Sequence, residues 1–385
     1  MIAEICKEEK CTGCFACMNV CPKNAIICET NQYGKTVPVI QSDKCIECGM
    51  CVRICPENTS PEKNYPLKCY AAWSRDEQER KYCSSGGVAN EFSRYTVEQG
   101  GIVYGAVFGD GLELVHTACG TLAQTERLKG SKYVQSYVGT VYRDLKTQLR
   151  EGKKVLFVGT PCQIAGVRRY LGKDYDNLIL VDLICHGTPP MEYLKDYVNS
   201  ITKKKITDVS FRGKRNWRLT LYDGNKSVYS RRNKQDYYFT AFLKSLIYRD
   251  NCYQCQYAAP ERCSDITIGD FWGLDRSSLQ VPYGGRISVV LVNTKNGEKM
   301  WEKVQDRFYS EARAVEEAVQ GNAQLRKPSK CHPDRELFLQ NYKKGNFAAA
   351  VRTPGMKKEI RKGRIKDSLL YRAARKVKNS MGWNK

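Results

Sequence analysis

The spacing Cys11-x2-Cys14-x2-Cys17-x3-Cys21-Pro22 recurs 34 residues later as Cys45-x2-Cys48-x2-Cys51-x3-Cys55-Pro56. Three thiolates two residues apart need a tight loop that aims successive sulfurs inward. Such a loop wraps three corners of an iron–sulfur cubane while its own amides point at the sulfides. The fourth corner comes from elsewhere, because in two-cluster arrangements the last cysteine of each run ligates the opposite cluster. That rule assigns Cys11, Cys14, Cys17 and Cys55 to one [4Fe-4S] cluster, and Cys45, Cys48, Cys51 and Cys21 to the other. Zinc is the plain alternative, but it prefers cysteine pairs separated by a finger and has no use for four close thiols repeated.

Residues 1–60 thus resemble a bacterial-type two-cluster ferredoxin, an α+β unit with internal pseudo-twofold symmetry. Between the two runs, Gln32–Ile40 alternates around Tyr33-Gly34, which predicts a short hairpin. Cys6 and Cys28 fall outside the pattern and read as packing residues. The Pro- and Lys-bearing stretch Pro56–Lys68 reads as linker, and a linker is expected over 61–82.

The chain has 385 residues, 42% of them hydrophobic, enough for two or three domains with a substantial core. Its 19 cysteines are too many for chance and too dilute for a disulfide scaffold, so most of them need a metal. No apolar run approaches the length of a membrane span. Met1–Cys6 shows no charged region followed by an apolar one, so no secretion signal is read and a cytoplasmic protein is expected. The formal charge of +22 raises the question of nucleic acid. Its distribution argues otherwise: residues 1–60 carry six basic and seven acidic side chains, whereas 352–385 carry twelve and two. With no RNP-type or helix-turn-helix signature, nucleic acid is a poor explanation for the basicity.

From about Cys83 onward, strand-like and helix-like segments alternate. Strands are predicted at Ile102–Phe108, Lys154–Gly159, Asn177–Cys185, Ile266–Ile268 and Ile287–Val292. Helices are predicted at Val141–Arg150, Gln163–Leu171, Pro190 to about Lys203, and Glu298–Phe308. This alternation argues for an α/β domain with a mixed sheet over 83–325. No Gly-x-Gly-x-x-Gly follows a strand, so a Rossmann-type nicotinamide site is unsupported. The remainder, 326–385, is expected to be a basic helical tail. Met356, Ile360, Leu369, Leu370, Ala373 and Val377 recur there at near-helical spacing among Lys and Arg. The favoured reading is a helix docked on its own domain, the alternative a peripheral contact with anionic lipid or a partner.

A second cysteine constellation is Cys252-x2-Cys255-x7-Cys263. Three thiols need a fourth ligand, and Cys162 is the candidate. It follows a buried strand, with Thr160 placed to cap and Pro161 at the first helical position. Helix-start amides there favour a thiolate. The alternatives are structural zinc for the three and a free reactive thiol for Cys162.

Six motifs in order carry a resemblance to a known family: Ser84-Ser-Gly-Gly-Val88, Gly130-Ser-Lys-Tyr-Val-Gln-Ser136, Val158-Gly-Thr-Pro-Cys-Gln163, Asp182-Leu-Ile-Cys-His-Gly187, Phe211-Arg-Gly-Lys-Arg-Asn-Trp217 and Gly269-Asp-Phe-Trp-Gly273. Over about residues 80–310 the chain resembles the coenzyme F420 hydrogenase/dehydrogenase beta-subunit family. That family includes deazaflavin-reducing subunits of hydrogenase and formate dehydrogenase and the 7-hydroxymethyl chlorophyll reductase of the chlorophyll cycle. The resemblance implies a non-Rossmann α/β domain that binds FAD close to a [4Fe-4S] cluster. Ser85, Gly86 and Gly87 would form a turn facing the phosphates or the ring, and Ser131, Lys132 and Gln135 would line the flavin site, with Gly159 and Thr160 beside them. A third cluster would be held by Cys162, Cys252, Cys255 and Cys263. The deazaflavin-reducing hydrogenase subunit lacks a fused two-cluster ferredoxin, so the deazaflavin acceptor itself is left open.

Cys185 and His186 end a strand, where ligand sites of α/β sheets lie. Both are candidate catalytic residues, His186 as a proton donor beside the flavin, with a turn-bonding role as the alternative. Asp270 and Trp272 are candidates to cover a cofactor face. Arg212, Lys214, Arg215 and Arg218 around Trp217 suit an anionic ligand or a solvated face equally. His116 and His332 lack such context. The expected activity is that of a flavin-dependent iron–sulfur oxidoreductase, passing single electrons through clusters to FAD and a small two-electron acceptor of coenzyme F420 or other organic type. Its partner would be a ferredoxin or a redox enzyme. The alternative is an electron-transfer adaptor without its own substrate, serving for instance surface-polysaccharide synthesis.

Overall fold

The computed structural model describes residues 4–212 and 217–367. Lys214 and Arg215 of the basic cluster, and Leu369, Leu370, Ala373 and Val377 of the C-terminal pattern, lie outside the described residues.

The N-terminal unit is built on one hairpin, β1 (Ile26–Thr30) and β2 (Thr36–Ile40), paired antiparallel from Ile26–Ile40 to Thr30–Thr36. The turn between them has Gly34 at φ +72, which suits a residue without Cβ. Each cysteine run ends in a five-residue helix, Ala16–Val20 or Met50–Ile54.

Eleven further strands follow: β3 (Lys68–Ser74), β4 (Ile102–Phe108), β5 (Leu114–Cys119), β6 (Val155–Gly159), β7 (Leu178–Leu183), β8 (Asp208–Arg212), β9 (Trp217–Asp223), β10 (Lys226–Arg232), β11 (Ile266–Asp270), β12 (Ser288–Val292) and β13 (Phe308–Arg313). Eight of them form a mixed sheet in the order β13-β3-β12-β11-β7-β6-β4-β5. Its centre, β11-β7-β6-β4, is parallel, and the remaining pairings are antiparallel. Strands β8, β9 and β10 make a separate antiparallel sheet.

The central strands are covered on both faces, which explains their near-continuous apolar sequences. Val155 and Phe157 of β6 pack with Tyr142, Leu145, Ile164 and Val167 of the helices Val141–Arg150 and Pro161–Leu171. Leu156, between them, turns to the opposite face and meets Phe92, Trp301 and Val304 of the helices Val88–Glu98 and Lys295–Val304. This period-two alternation gives each layer its own core.

Two expectations change. The segment 61–82 contains β3, which pairs with both β12 and β13 inside the large sheet. Lys68-Cys-Tyr-Ala-Ala-Trp-Ser74 has no Val or Ile to mark it, so its strand character comes from pairing. The helix expected to reach Phe308 stops at Val304, and Phe308 begins β13. Much of 326–367 belongs to the body. Phe338, Phe347, Met356 and Ile360 are almost fully buried, and Arg335 forms an ion pair with Asp250 at 2.7 Å. Among the described residues no helix is long and apolar enough to cross a membrane.

The N-terminal unit lies against the sheet's helical layer. Arg143 donates to the carbonyls of Met18, Asn19 and Cys21 and to Asn24, and Arg169 donates to the carbonyl of Arg53. Gly166 is the point of closest approach. A Cβ there would stand 3.0 Å from Cys14 Cβ and 3.2 Å from its Sγ.

Candidate functional site

The two cysteine loops share one backbone device. In the first, Gly13 and Phe15 have φ of +65 and +57; in the second, Glu47 and Gly49 have +54 and +71. These positions correspond across the repeat, and two of the four are not glycine, so each loop holds left-handed residues at some cost. The strain curls the chain around the space its sulfurs face.

The grouping of those sulfurs crosses between the repeats. Cys14 and Cys17 feel the charges of Cys11 and Cys55, whereas Cys51 feels those of Cys21 and Cys45. A small cavity is lined by Cys21, Cys45, Cys48 and Cys51. Backbone amides point at the sulfurs: Gly13 at Cys11, Ala16 at Cys14, Glu57 and Asn58 at Cys55, and Ala25 at Cys21 at 3.2 Å. Burial pushes the Cys14 thiol up to about 12. A metal is the obvious group to restore a thiolate there. Cys6 also belongs to this neighbourhood: its thiol hydrogen-bonds Cys11 and Cys55, and that bond pulls Cys11 down.

A second group of sulfurs forms where the central strands end. Cys162, in the first turn of the helix Pro161–Leu171, faces Cys185, Cys255 and Cys252. Cys185, just past β7, faces Cys252 and Cys255. Each of the four has a polar neighbour at its sulfur: Thr160 Oγ1 lies 3.2 Å from Cys162 Sγ, Thr188 N–H donates to Cys252 at 3.5 Å, and the Gly187 and Tyr257 amides serve Cys185 and Cys255. Burial pushes Cys185 up to about 12 and Cys255 up to about 11.

Cys263 is also buried, but its thiol turns to the Pro161 carbonyl at 3.7 Å, the geometry of a protonated donor. The structure therefore brings Cys185, expected to be catalytic, beside Cys162, Cys252 and Cys255, while the Cys263 thiol meets Pro161 O. Among the described residues no three His, Cys, Asp or Glu side chains converge tightly enough for a single metal ion. Four thiols with amides or hydroxyls at their sulfurs have the donor chemistry of an iron–sulfur cubane.

A cavity of about 430 Å³ opens at the carboxyl ends of β6, β7 and β11, beside the second cysteine group. Its wall includes Cys162 and Cys185 of the second group and Thr12, next to Cys11 of the first. Ser85, Gly87, Ser131, Lys132, Gln135, Gly159, Thr160 and His186 also line it. Gly87, at φ +91, opens the helix Val88–Glu98 without a side-chain cap, and residues 88–90 of its first turn face the cavity. Unpaired helix-start amides beside serines suit a phosphate. An elongated ligand with a phosphate-bearing part, such as FAD, matches this combination of volume and donors.

Three of the expected ligand contacts are engaged elsewhere. Gly86 donates its N–H to Ser288 Oγ at 2.9 Å, and a Cβ on it would fall 2.3 Å from the Ala72 carbonyl, so it packs the turn onto β3 and β12. The Lys132 ammonium donates to the carbonyls of Arg127, Leu128 and Lys129; burial pulls it down to about 8. Gln135 donates to Thr12 O and accepts from Arg249, both at 2.9 Å, and thereby joins the N-terminal unit to the cavity wall.

The His186 ring has no hydrogen-bond partner among the described residues; burial lowers its basicity, partly countered by Asp270. Arg212 stacks over Trp217 at 4.2 Å and pairs with Asp270 at 2.7 Å, while Arg218 bonds Ser230. Trp217, Asp270 and Trp272 line the cavity, and Trp272 is exposed. His116, which has no distinguishing sequence context, also lines the cavity. Its Nε2 lies 3.1 Å from Val158 O and its Nδ1 2.9 Å from Ser136 Oγ, which Gln163 bonds in turn. Burial pushes His116 down to about 4. Only its long-range partners reveal it, so no local signal marks it.

The fold and site define a cysteine-rich electron-transfer unit docked on an α/β domain with a ligand-sized cavity. Residues 10–59 match the family described as 4Fe-4S dicluster domain, and residues 152–318 match the family described as the C-terminal part of the coenzyme F420 hydrogenase/dehydrogenase beta subunit. The chain thus joins a 4Fe-4S dicluster domain to a region similar to the C-terminal part of the coenzyme F420 hydrogenase/dehydrogenase beta subunit. Among solved structures, a chain of the F420-reducing [NiFe] hydrogenase complex from Methanosarcina barkeri, from a xenon-derivatised crystal, is 20% identical, with 78% of this chain and 91% of that chain covered at a TM-score of 0.46. No curated protein matches this chain.

Proposed function

We propose that this chain is a flavin-dependent iron–sulfur oxidoreductase whose clusters exchange single electrons with FAD held in the large cavity, beside an organic two-electron acceptor. The observation that carries the reading is that one cavity reaches Cys162 and Cys185 on one side and Thr12, the residue next to Cys11, on the other. When bound, FAD supplies the exchange between one-electron and two-electron chemistry, and the cubanes supply one-electron steps.

The chain's own residues then divide the work. Cys11, Cys14, Cys17 and Cys55 hold the inner N-terminal cluster, and Cys21, Cys45, Cys48 and Cys51 the outer one, where Cys48 is exposed. Cys162, Cys185, Cys252 and Cys255 hold the third cluster, with Cys263 a buried thiol beside it. The first turn of the helix Val88–Glu98, with Ser85 and Ser131, receives phosphate. His186, with an unpartnered ring at the cavity, is the group placed to hold or deliver a proton. Trp217, Trp272 and the Arg212–Asp270 pair form the wall on which a planar acceptor stacks.

Replacing Cys11 with Ser separates the parts. The variant is expected to keep flavin and to lose flavin reduction by reduced ferredoxin, followed anaerobically by flavin absorbance. Ferredoxin-driven reduction at the wild-type rate in C11S would remove the relay, and a cluster-bearing wild type without flavin would favour an adaptor.

A further inference from the structure

Arg249 lies between the inner N-terminal cysteine group and the one at the strand ends, and only 1% of it is exposed. Its Nη1 donates to Thr36 O at 3.1 Å and Gln135 Oε1 at 2.9 Å, and its Nη2 to Cys11 O at 3.0 Å. Its Nε is buried with no hydrogen-bond partner. The backbone fixes its position: Arg249 N–H donates to Thr188 O, and its carbonyl accepts from Cys252 N–H, at 3.0 and 3.1 Å.

What it lacks is an acid. Among the described residues no carboxylate pairs with Arg249, and the adjacent Asp250 is taken by Lys35 and Arg335. The other almost fully buried arginine, Arg262, has Asp182 at 2.8 Å. A buried cation facing only neutral acceptors carries a large desolvation penalty unless an anion stands nearby. The groups beside Arg249 that become anionic are cysteines, and it favours the charged form of both Cys11 and Cys252.

We propose that Arg249 is a buried counter-charge shared by the inner N-terminal cluster and the third cluster, raising the reduction potential of both. Reduction adds negative charge to a cluster, so a fixed cation close by stabilises the reduced form. A single guanidinium hydrogen-bonded to the loop of one cluster and joined through its backbone to a ligand of the other biases both members of the relay together. The outer cluster, bordered by Lys23 and Ile46 in its own cavity wall, is outside this influence. The inference rests on the cluster reading above, and iron content with reduced-state EPR signals tests that reading separately.

The test is an EPR-monitored redox titration of the cluster-loaded full chain, with the outer cluster's signal assigned by its loss in Cys45→Ser. Arg249→Gln is expected to lower the midpoint potentials of two clusters and leave the outer one in place, whereas Arg249→Lys keeps all three near wild type. Unchanged potentials in R249Q, an equal shift of all three clusters, or a shift in R249K as large as in R249Q would each overturn the proposal. Should R249Q fail to retain iron, R249K decides: full iron with unshifted potentials supports a requirement for charge, and loss of iron or shifted potentials overturns it.

Discussion

Gly166 shows how one absent methyl group can set how closely the N-terminal unit approaches the helical layer of the sheet. Any side chain at this position meets Cys14 and the Tyr142 hydroxyl, both 3.0 Å from where Cβ would stand. Gly166→Val is expected to destabilise the folded chain by about 1–3 kcal/mol through overpacking. Chemical denaturation measures that loss, and the inner N-terminal cluster should bleach first under mild denaturant. His116 gives a pH signature. Its ring is neutral in the fold, down to about 4 by burial, while in the unfolded chain it titrates near 6.5. Stability is therefore complete above about pH 6.5 and falls as pH drops toward about 4, because only the unfolded state takes up the proton in that window. Between pH 7 and 5 this single site should cost about 2 kcal/mol. His116→Gln should flatten that part of the stability profile, and an unchanged profile would mean that the ring takes up its proton alike in the folded and unfolded chain. None of this was visible in the sequence, since the His116 partners Ser136 and Val158 are brought together only by the fold.

At the scale of elements, the buried strands and amphipathic helices were legible where local pattern and burial agree. Ile102–Phe108 and Val141–Arg150 form over the expected residues because each has one dominant period. β3 was not legible, since its place between β12 and β13 is set by partners more than two hundred residues distant. The same reason hid the grouping of Cys185: three strand and helix ends converge on it, and spacing along the chain says nothing about convergence. The grouping predicts that Cys185→Ser loses about four irons per chain and one set of cluster signals, while Cys263→Ser retains them. Equal loss in both would return Cys263 to the ligand set. The segment Arg335–Lys344 behaves as core: Phe338 is fully buried and packs edge-on to Tyr193 at 5.3 Å. Phe338→Ala should cost about 3–5 kcal/mol in urea unfolding, whereas a detached tail would tolerate it.

Across the whole molecule, the repeat announced the cluster-binding unit from spacing alone, while its docking geometry emerges only from the fold. Arg143 and Gln135 hold that unit with its inner cysteine loop at the cavity wall. The proposed function requires cubanes and a flavin on one polypeptide, in contact through that wall. An oxygen-free purification of the full chain with iron, sulfide and flavin quantified on the same sample tests it most directly. About twelve irons with matching sulfide and flavin approaching one per chain are expected; a folded chain that lacks either the iron or the flavin would contradict the proposed arrangement.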